Sequence, residues 1–133
     1  MNLLRFFVYG TLKPGEINYQ LLCQKKVVEQ QEAYTFGELY DLCLGYPAMT
    51  PGKNKVRGFL LTFAQPEILG DLDDLEGYNP QASGEDNEYY RQQIEVYDLL
   101  GNSLGQAWAY FMTLERVKKG KGVWLSSGCW NSV

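Results

Sequence analysis

Among the acids of this sequence, Glu76 has the setting of a general base. It lies in the run Asp71-Leu72-Asp73-Asp74-Leu75-Glu76-Gly77-Tyr78-Asn79-Pro80. The spacing predicts the last turns of a helix, stopped by Gly77 and closed off by Pro80, with Pro66 in its first turn. On a helical wheel at about 100° per residue, with Leu72 as zero, Ile68, Leu69 and Leu75 fall within roughly 60° and form an apolar stripe. Glu67, Asp71 and Asp74 point away from that stripe, and Asp73 sits at its flank. Glu76 lands at about 40°, inside the stripe. A carboxylate held there is partly desolvated and lies at the negative end of the helix dipole, and both effects raise its pKa. A helix-end carboxylate satisfied by backbone N–H groups is the structural alternative.

A second stretch with chemical content is Tyr9-Gly10-Thr11-Leu12. A strand opening into Gly-Thr leaves consecutive backbone N–H groups unpaired, and such groups can cradle a carboxylate. An ordinary strand-to-helix turn would look the same. The spacing from Gly10 to Gly15 begins like a phosphate loop, but Glu16-Ile17 follow where Lys-Ser/Thr would be needed. The acidic run after Asp71 fails as a calcium loop, because Glu76 stands where glycine is required and Ala82 ends it. Tyr89-Tyr90-Arg91 could hold a substrate or simply pack and pair with Glu95 or Asp98, and packing is the stronger reading.

The chain has no histidine. That removes Ser-His-Asp and Cys-His mechanisms and histidine-ligated metals together. Cys23, Cys43 and Cys129 are odd in number and widely spaced, which reads as buried free thiols rather than a disulfide framework or zinc site. Catalysis would fall to carboxylates, tyrosines, lysines or backbone amides, with no metal and no cofactor.

Several elements must position these groups. Leu3 to Tyr9 reads as a buried strand, and a helix is expected from about Asn18 to Cys23. Val27 to Leu44 is one bent strand or two, broken near Gly37. Gly45-Tyr46-Pro47 and Thr50-Pro51-Gly52 are turn signals around Ala48-Met49, and Val56 to Phe63 is a further strand. A polar loop from Gln81 to Asn87 leads into a hairpin, Tyr89 to Leu99 and Leu104 to Met112. Glu115 to Gly122 reads as a basic surface loop, and the tail from Val123 to Trp130 is apolar enough to dock.

With 133 residues, 45% of them apolar and 21% charged, the chain suits a single domain over residues 1–133. Six or seven strands with two or three short helices imply an α+β fold built on a small mixed, partly closed barrel. A net charge of −4 argues against a nucleic-acid surface, and no apolar run reaches a membrane span. The first residues read as a strand rather than a signal peptide, so the expected location is cytoplasmic.

Four motifs now stand in order: Tyr9-Gly10-Thr11-Leu12 after an N-terminal strand, Gly45-Tyr46-Pro47, Leu72-Asp73-Asp74-Leu75-Glu76-Gly77-Tyr78, and Tyr90-Arg91 opening a strand. Together they resemble the gamma-glutamylcyclotransferase-like superfamily, over most of the chain. The resemblance implies a small mixed α/β barrel that cleaves a gamma-glutamyl amine or peptide to 5-oxoproline and a free amine. Its catalytic glutamate would be Glu76, and its substrate-binding loop would be Tyr9, Gly10, Thr11 and Leu12. Tyr46 belongs to the second motif and is expected at the substrate, and Tyr110, resembling a late-strand tyrosine of some members, would line the site. Cys129 departs from the acidic residue that relatives often carry there.

The chemistry fits a site without histidine or metal. The substrate's own α-amine closes a five-membered ring on its γ-carbonyl, so the reaction needs positioning rather than an enzyme nucleophile. One carboxylate of raised pKa can take a proton from the α-ammonium and return one to the leaving nitrogen. The turn amides would fix the α-carboxylate or the developing oxyanion. The expected partner is a small gamma-glutamyl compound, acting on a monomer or weak dimer. A non-catalytic domain binding a small amino compound or a protein in the same pocket is the competing reading. Hydrolysis by an Asp73–Glu76 pair is weaker, because the wheel separates the two by about 60°.

Overall fold

A computed structural model describes residues 3–79, 81–82 and 87–131. Six strands form one mixed sheet: β1 (Leu4–Val8), β2 (Val27–Asp41), β3 (Pro47–Phe63), β4 (Tyr90–Tyr97), β5 (Ser103–Phe111) and β6 (Val123–Trp124). Among the described residues there are also two short helices, α1 (Ile68–Leu75) and α2 (Leu114–Lys119), and one wide helical turn at Tyr19–Cys23. The strand order β3-β1-β5-β4-β2 returns to β3 through a second pairing, and β6 hangs on β2. The ring is barrel-like rather than a clean barrel. Its β1–β5 and β2–β4 seams are thin, registered at Phe6↔Trp108 and Tyr34↔Tyr97.

β1 is apolar except for Arg5, because it lies between two neighbours, antiparallel to β3 and parallel to β5. Its side chains alternate between faces. Leu4, Phe6 and Val8 join a core that includes Ile68 and Leu72 of α1, whereas Phe7 and Tyr9 join Leu39, Met49 and Phe111. The strand that carries the Tyr9–Leu12 turn is thereby fixed from both sides.

Four expectations change here. The Thr50-Pro51-Gly52 signal is not a turn, because β3 runs unbroken from Pro47 to Phe63. The partner of Gly37 is Asn54 and that of Glu38 is Thr50, so Pro51–Lys53 bulge out of the ladder. Glu38 stitches this bulge, accepting from the Lys53 amide at 3.1 Å, Asn54 Nδ2 at 2.6 Å and Trp124 Nε1 at 3.2 Å. The presumed basic loop after Glu115 begins as α2, capped by Thr113, whose hydroxyl accepts from the Arg116 amide at 3.2 Å. Arg116, Lys118 and Lys119 in its last turn complement the helix dipole. Of the thiols only Cys23 is buried; Cys43 is exposed and Cys129 intermediate. The helix expected near Asn18 is a single wide turn, in which the Gln24 amide reaches the Tyr19 carbonyl at 2.8 Å.

The hairpin of β4 and β5 holds from Tyr90↔Phe111 to Tyr97↔Ser103. The tail docks as expected: Trp130 is buried, and its carbonyl accepts from Lys13 Nζ beside the Tyr9–Leu12 turn. No helix among the described residues is long and apolar enough to cross a membrane.

Candidate active site

α1 ends at Leu75, one residue before the glutamate. Glu76 caps it with its amide on the Leu72 carbonyl at 3.0 Å, and Gly77 turns the chain away at φ +65°. That left-handed geometry is the usual role of glycine just past a helix. Helix α1 itself starts at Ile68, with Pro66 in the turn before it. The Pro80 stop signal and part of the Gln81–Asn87 loop lie outside the described residues.

The apolar stripe is rotated from the wheel. Ile68 and Leu72 are buried as expected, but Leu75 is 41% exposed and Asp73 only 7%. Asp73 is drawn inward by two partners, Arg91 Nε at 3.0 Å and the Tyr110 hydroxyl at 2.6 Å, both on Oδ1. Arg91 in turn lies over the rings of Trp108 (4.6 Å) and Tyr78 (5.3 Å) and not against Glu95 or Asp98. Leu75, on the last turn, faces a cavity instead of the core.

That cavity, of about 280 Å³, gathers Glu76 and the residues expected to bind substrate. Tyr9 to Leu12 form one wall, and Tyr46, Glu76 and Tyr110 line it as well. The two glycine motifs meet physically. A Cβ on Gly10 would sit 2.7 Å from the ring of Pro47, so only glycine lets the first turn rest against Gly45-Tyr46-Pro47. The turn is braced from behind, where Thr11 accepts the Asn18 and Tyr19 amides on its carbonyl (both 3.1 Å) and Asn18 Nδ2 on its hydroxyl (2.8 Å). No turn carbonyl or side chain among the described residues accepts from the amides of Gly10, Thr11 or Leu12.

The tyrosine hydroxyls around the cavity are committed to the walls. Tyr9 donates to the Tyr110 carbonyl (2.7 Å), Tyr89 to the Pro47 carbonyl (2.7 Å), Tyr110 to Asp73 and Tyr46 to Glu88 Oε1 (3.1 Å). Burial pushes the hydroxyls of Tyr9, Tyr89 and Tyr110 well up, and that of Tyr46 up as well. These tyrosines are struts rather than acids or bases at neutral pH. Glu76 differs from all of them. Its carboxylate has no hydrogen-bond or ion-pair partner among the described residues, so the alternative of a capped helix end is not met. Desolvation first, and the Glu88 charge second, raise its pKa to about 7.

Glu88 was missed in the sequence, and Tyr89 stood there only within a run weighed between substrate holding and packing. Glu88 is brought beside Glu76 by a clip at the base of the loop. The Asn79 amide donates to Asn87 Oδ1 (2.9 Å), Asn87 Nδ2 returns to the Asn79 carbonyl (3.1 Å), and the Glu88 amide donates to the Gly77 carbonyl (3.3 Å). The adjoining Tyr89-Tyr90-Arg91 was the signal that pointed nearest to them. Cavity, paired glycine turns and a carboxylate unpaired among the described residues thus stand together.

A family model described as gamma-glutamyl cyclotransferase, AIG2-like, matches residues 6–132. The chain belongs to this family. It is an enzyme of the gamma-glutamylcyclotransferase kind. Among its relatives, a protein of Vibrio cholerae provisionally named gamma-glutamylcyclotransferase is 34% identical over 104 residues, covering 78% of this chain and 77% of the relative. The gamma-L-glutamyl-butirosin B gamma-glutamyl cyclotransferase of Niallia circulans is 29% identical over 104 residues, 78% of this chain and 65% of that one. The crystal structure of YkqA from Bacillus subtilis superposes with a TM-score of 0.67 at 25% identity, covering 97% of this chain. The chain spans 40% of YkqA's length, so it corresponds to part of that larger protein.

Proposed function

We propose that the protein releases 5-oxoproline from a small gamma-glutamyl amine or peptide, with Glu76 as general acid and base. The observation that carries this reading is the unpaired Glu76 carboxylate, raised to about 7, facing a cavity whose tyrosine hydroxyls are all committed elsewhere. A carboxylate of that pKa exchanges protons readily at neutral pH in both directions.

In the proposed reaction the substrate's α-carboxylate rests on the free amides of the Gly10–Leu12 turn. Glu76 takes a proton from the α-ammonium, and the freed amine attacks the γ-carbonyl carbon. A C–N bond forms, closing the five-membered ring, and the carbonyl oxygen becomes an oxyanion held by amide donors. Glu76 passes its proton to the leaving nitrogen as that nitrogen's bond to the γ-carbon breaks and the oxyanion returns to a carbonyl, and it then takes the second proton from the nitrogen of the new ring. The released amine takes the other proton to become an ammonium, so Glu76 ends as it began. Ring closure within one molecule makes positioning the main contribution. Asp73 takes no part, because Arg91 and Tyr110 already occupy it.

The test is mass-spectrometric detection of 5-oxoproline from a panel of γ-glutamyl amines, dipeptides and glutathione, with Glu76→Gln beside the unaltered protein. Turnover is expected to fall by about 10³-fold in a variant that remains folded. Near-normal release by a folded Glu76→Gln protein would overturn the role of Glu76.

A further inference from the structure

Among the described residues, the cavity is lined by two carboxylates, Glu76 and Glu88, and by no Lys or Arg. The nearby cations are occupied: Arg91 by Asp73, and Lys13 by the Trp130 carbonyl and Asn131 Oδ1. Glu88 is not an incidental surface acid. Its amide is fixed on Gly77, Asn87 anchors the chain just before it, and Tyr46 donates to one of its oxygens. No ion pair among the described residues neutralises it.

A charge count for a bound substrate follows, and it rests on the function proposed above. The γ-glutamyl part brings one negative and one positive group. Its α-carboxylate is matched by the turn amides and its α-ammonium by Glu76. Glu88 is then left as an unbalanced negative charge in a partly dehydrated cavity, which is unfavourable unless a cation joins it. No described residue lining the cavity supplies that cation, which leaves the amine half of the substrate to bring it. An additional carboxylate there, as in a dipeptide or glutathione, meets like charge instead.

We propose that Glu88, held by Tyr46, selects substrates by the charge of the leaving amine, favouring γ-glutamyl derivatives of diamines and other amines that carry a second positive group. Glu88 is a specificity residue in this scheme and takes no proton from the reacting atoms.

The test uses three substrates of similar length, the γ-glutamyl derivatives of 1,4-diaminobutane, butylamine and 4-aminobutyrate, which end in a cation, a neutral group and an anion. The kcat/KM for 5-oxoproline release is expected to fall in that order, by about tenfold at each step. In Glu88→Gln the cation-to-anion ratio should collapse to within a few-fold. Equal rates for the three compounds in the unaltered protein, or a ratio that survives in Glu88→Gln, would overturn the proposal. The order in the unaltered protein is decisive even if the variant does not fold. Failure to release 5-oxoproline from all three would instead reject the cyclotransferase reading itself, and this inference with it.

Discussion

Asp73 and Glu76 stand three residues apart at the same helix end, and they have opposite surroundings. Asp73 is buried against a guanidinium and a tyrosine hydroxyl, both within 3.0 Å. Glu76 faces the cavity with no hydrogen-bond or ion-pair partner among the described residues and with a second carboxylate, Glu88, as its electrostatic neighbour. Residue type does not separate them, since both are short-chain acids on one helix. What separates them is which strand they face. Asp73 meets Arg91 of β4 and Tyr110 of β5, so its charge is balanced and it ties α1 to the sheet. Glu76 shares a cavity with the Tyr9–Leu12 turn and Glu88, and no Lys or Arg lines it among the described residues. In the proposed reaction the same chemical group is a structural anchor in one place and a proton shuttle in the other, and partners supplied or withheld decide between them.

The sharpest way to break this division is to remove each acid and read two quantities. Glu76→Gln should lose about 10³-fold in turnover while staying folded. Asp73→Ala should do the reverse. It leaves Arg91 half-buried without its carboxylate and Tyr110 without its acceptor, at an expected loss of about 3 kcal/mol of stability by urea unfolding. The folded fraction should keep far more activity than Glu76→Gln. Loss of activity in Asp73→Ala as deep as in Glu76→Gln, without loss of stability, would mean the two acids work as a pair.

Much of this arrangement was legible beforehand, and the gaps have physical causes. β1, the β4–β5 hairpin and the Glu76–Gly77 helix end follow from local signals: an apolar run, alternation across a Gly-Asn-Ser turn, and a glycine past a helical stripe. The Thr50-Pro51-Gly52 bulge did not, because the groups that hold it come from Glu38 and Trp124, far away in sequence. The wheel placed Leu75 in the core and left Asp73 at the flank, because a periodicity argument cannot see Arg91 and Tyr110 across the sheet. Helix α2 was hidden by its basic residues, which read as solvated loop although Thr113 caps it. Glu88 escaped for a related reason: its tyrosine lies forty-two residues earlier, and the Asn79–Asn87 clip that aims it has no periodic signature.

A second contrast concerns pH. The folded value of about 7 for Glu76 lies above its ordinary 4.5. Between those values the folded protein holds a proton that the unfolded chain releases, so this group's contribution to stability is present at low pH and lost as pH rises through 7. Glu76→Gln removes the charge. It should therefore stabilise the protein at pH 8, by on the order of 2 kcal/mol, and make little difference near pH 4. Activity should move the other way, with the acid limb of kcat/KM centred near pH 7, since only ionised Glu76 accepts the proton. Thermal melts of both proteins across pH 4–8 check the first expectation, and a rate profile checks the second. A stabilisation independent of pH would show that Glu76 is not held at a raised pKa.

The smallest effect is expected at Tyr110, which belongs to both regions. Its ring lines the cavity and stacks on Phe6, with centroids 5.2 Å apart, while its hydroxyl donates to Asp73. A hydroxyl with its proton on Asp73 cannot also donate that proton to substrate. Tyr110→Phe keeps the ring and the stacking, and Asp73 keeps Arg91, so one hydrogen bond is lost and no charge is stranded. Stability should fall by about 1 kcal/mol, and kcat/KM by no more than a few-fold. A hundredfold fall in kcat/KM at unchanged stability would place the hydroxyl at the reacting atoms, and the anchor around Asp73 would then be part of the active site rather than its support.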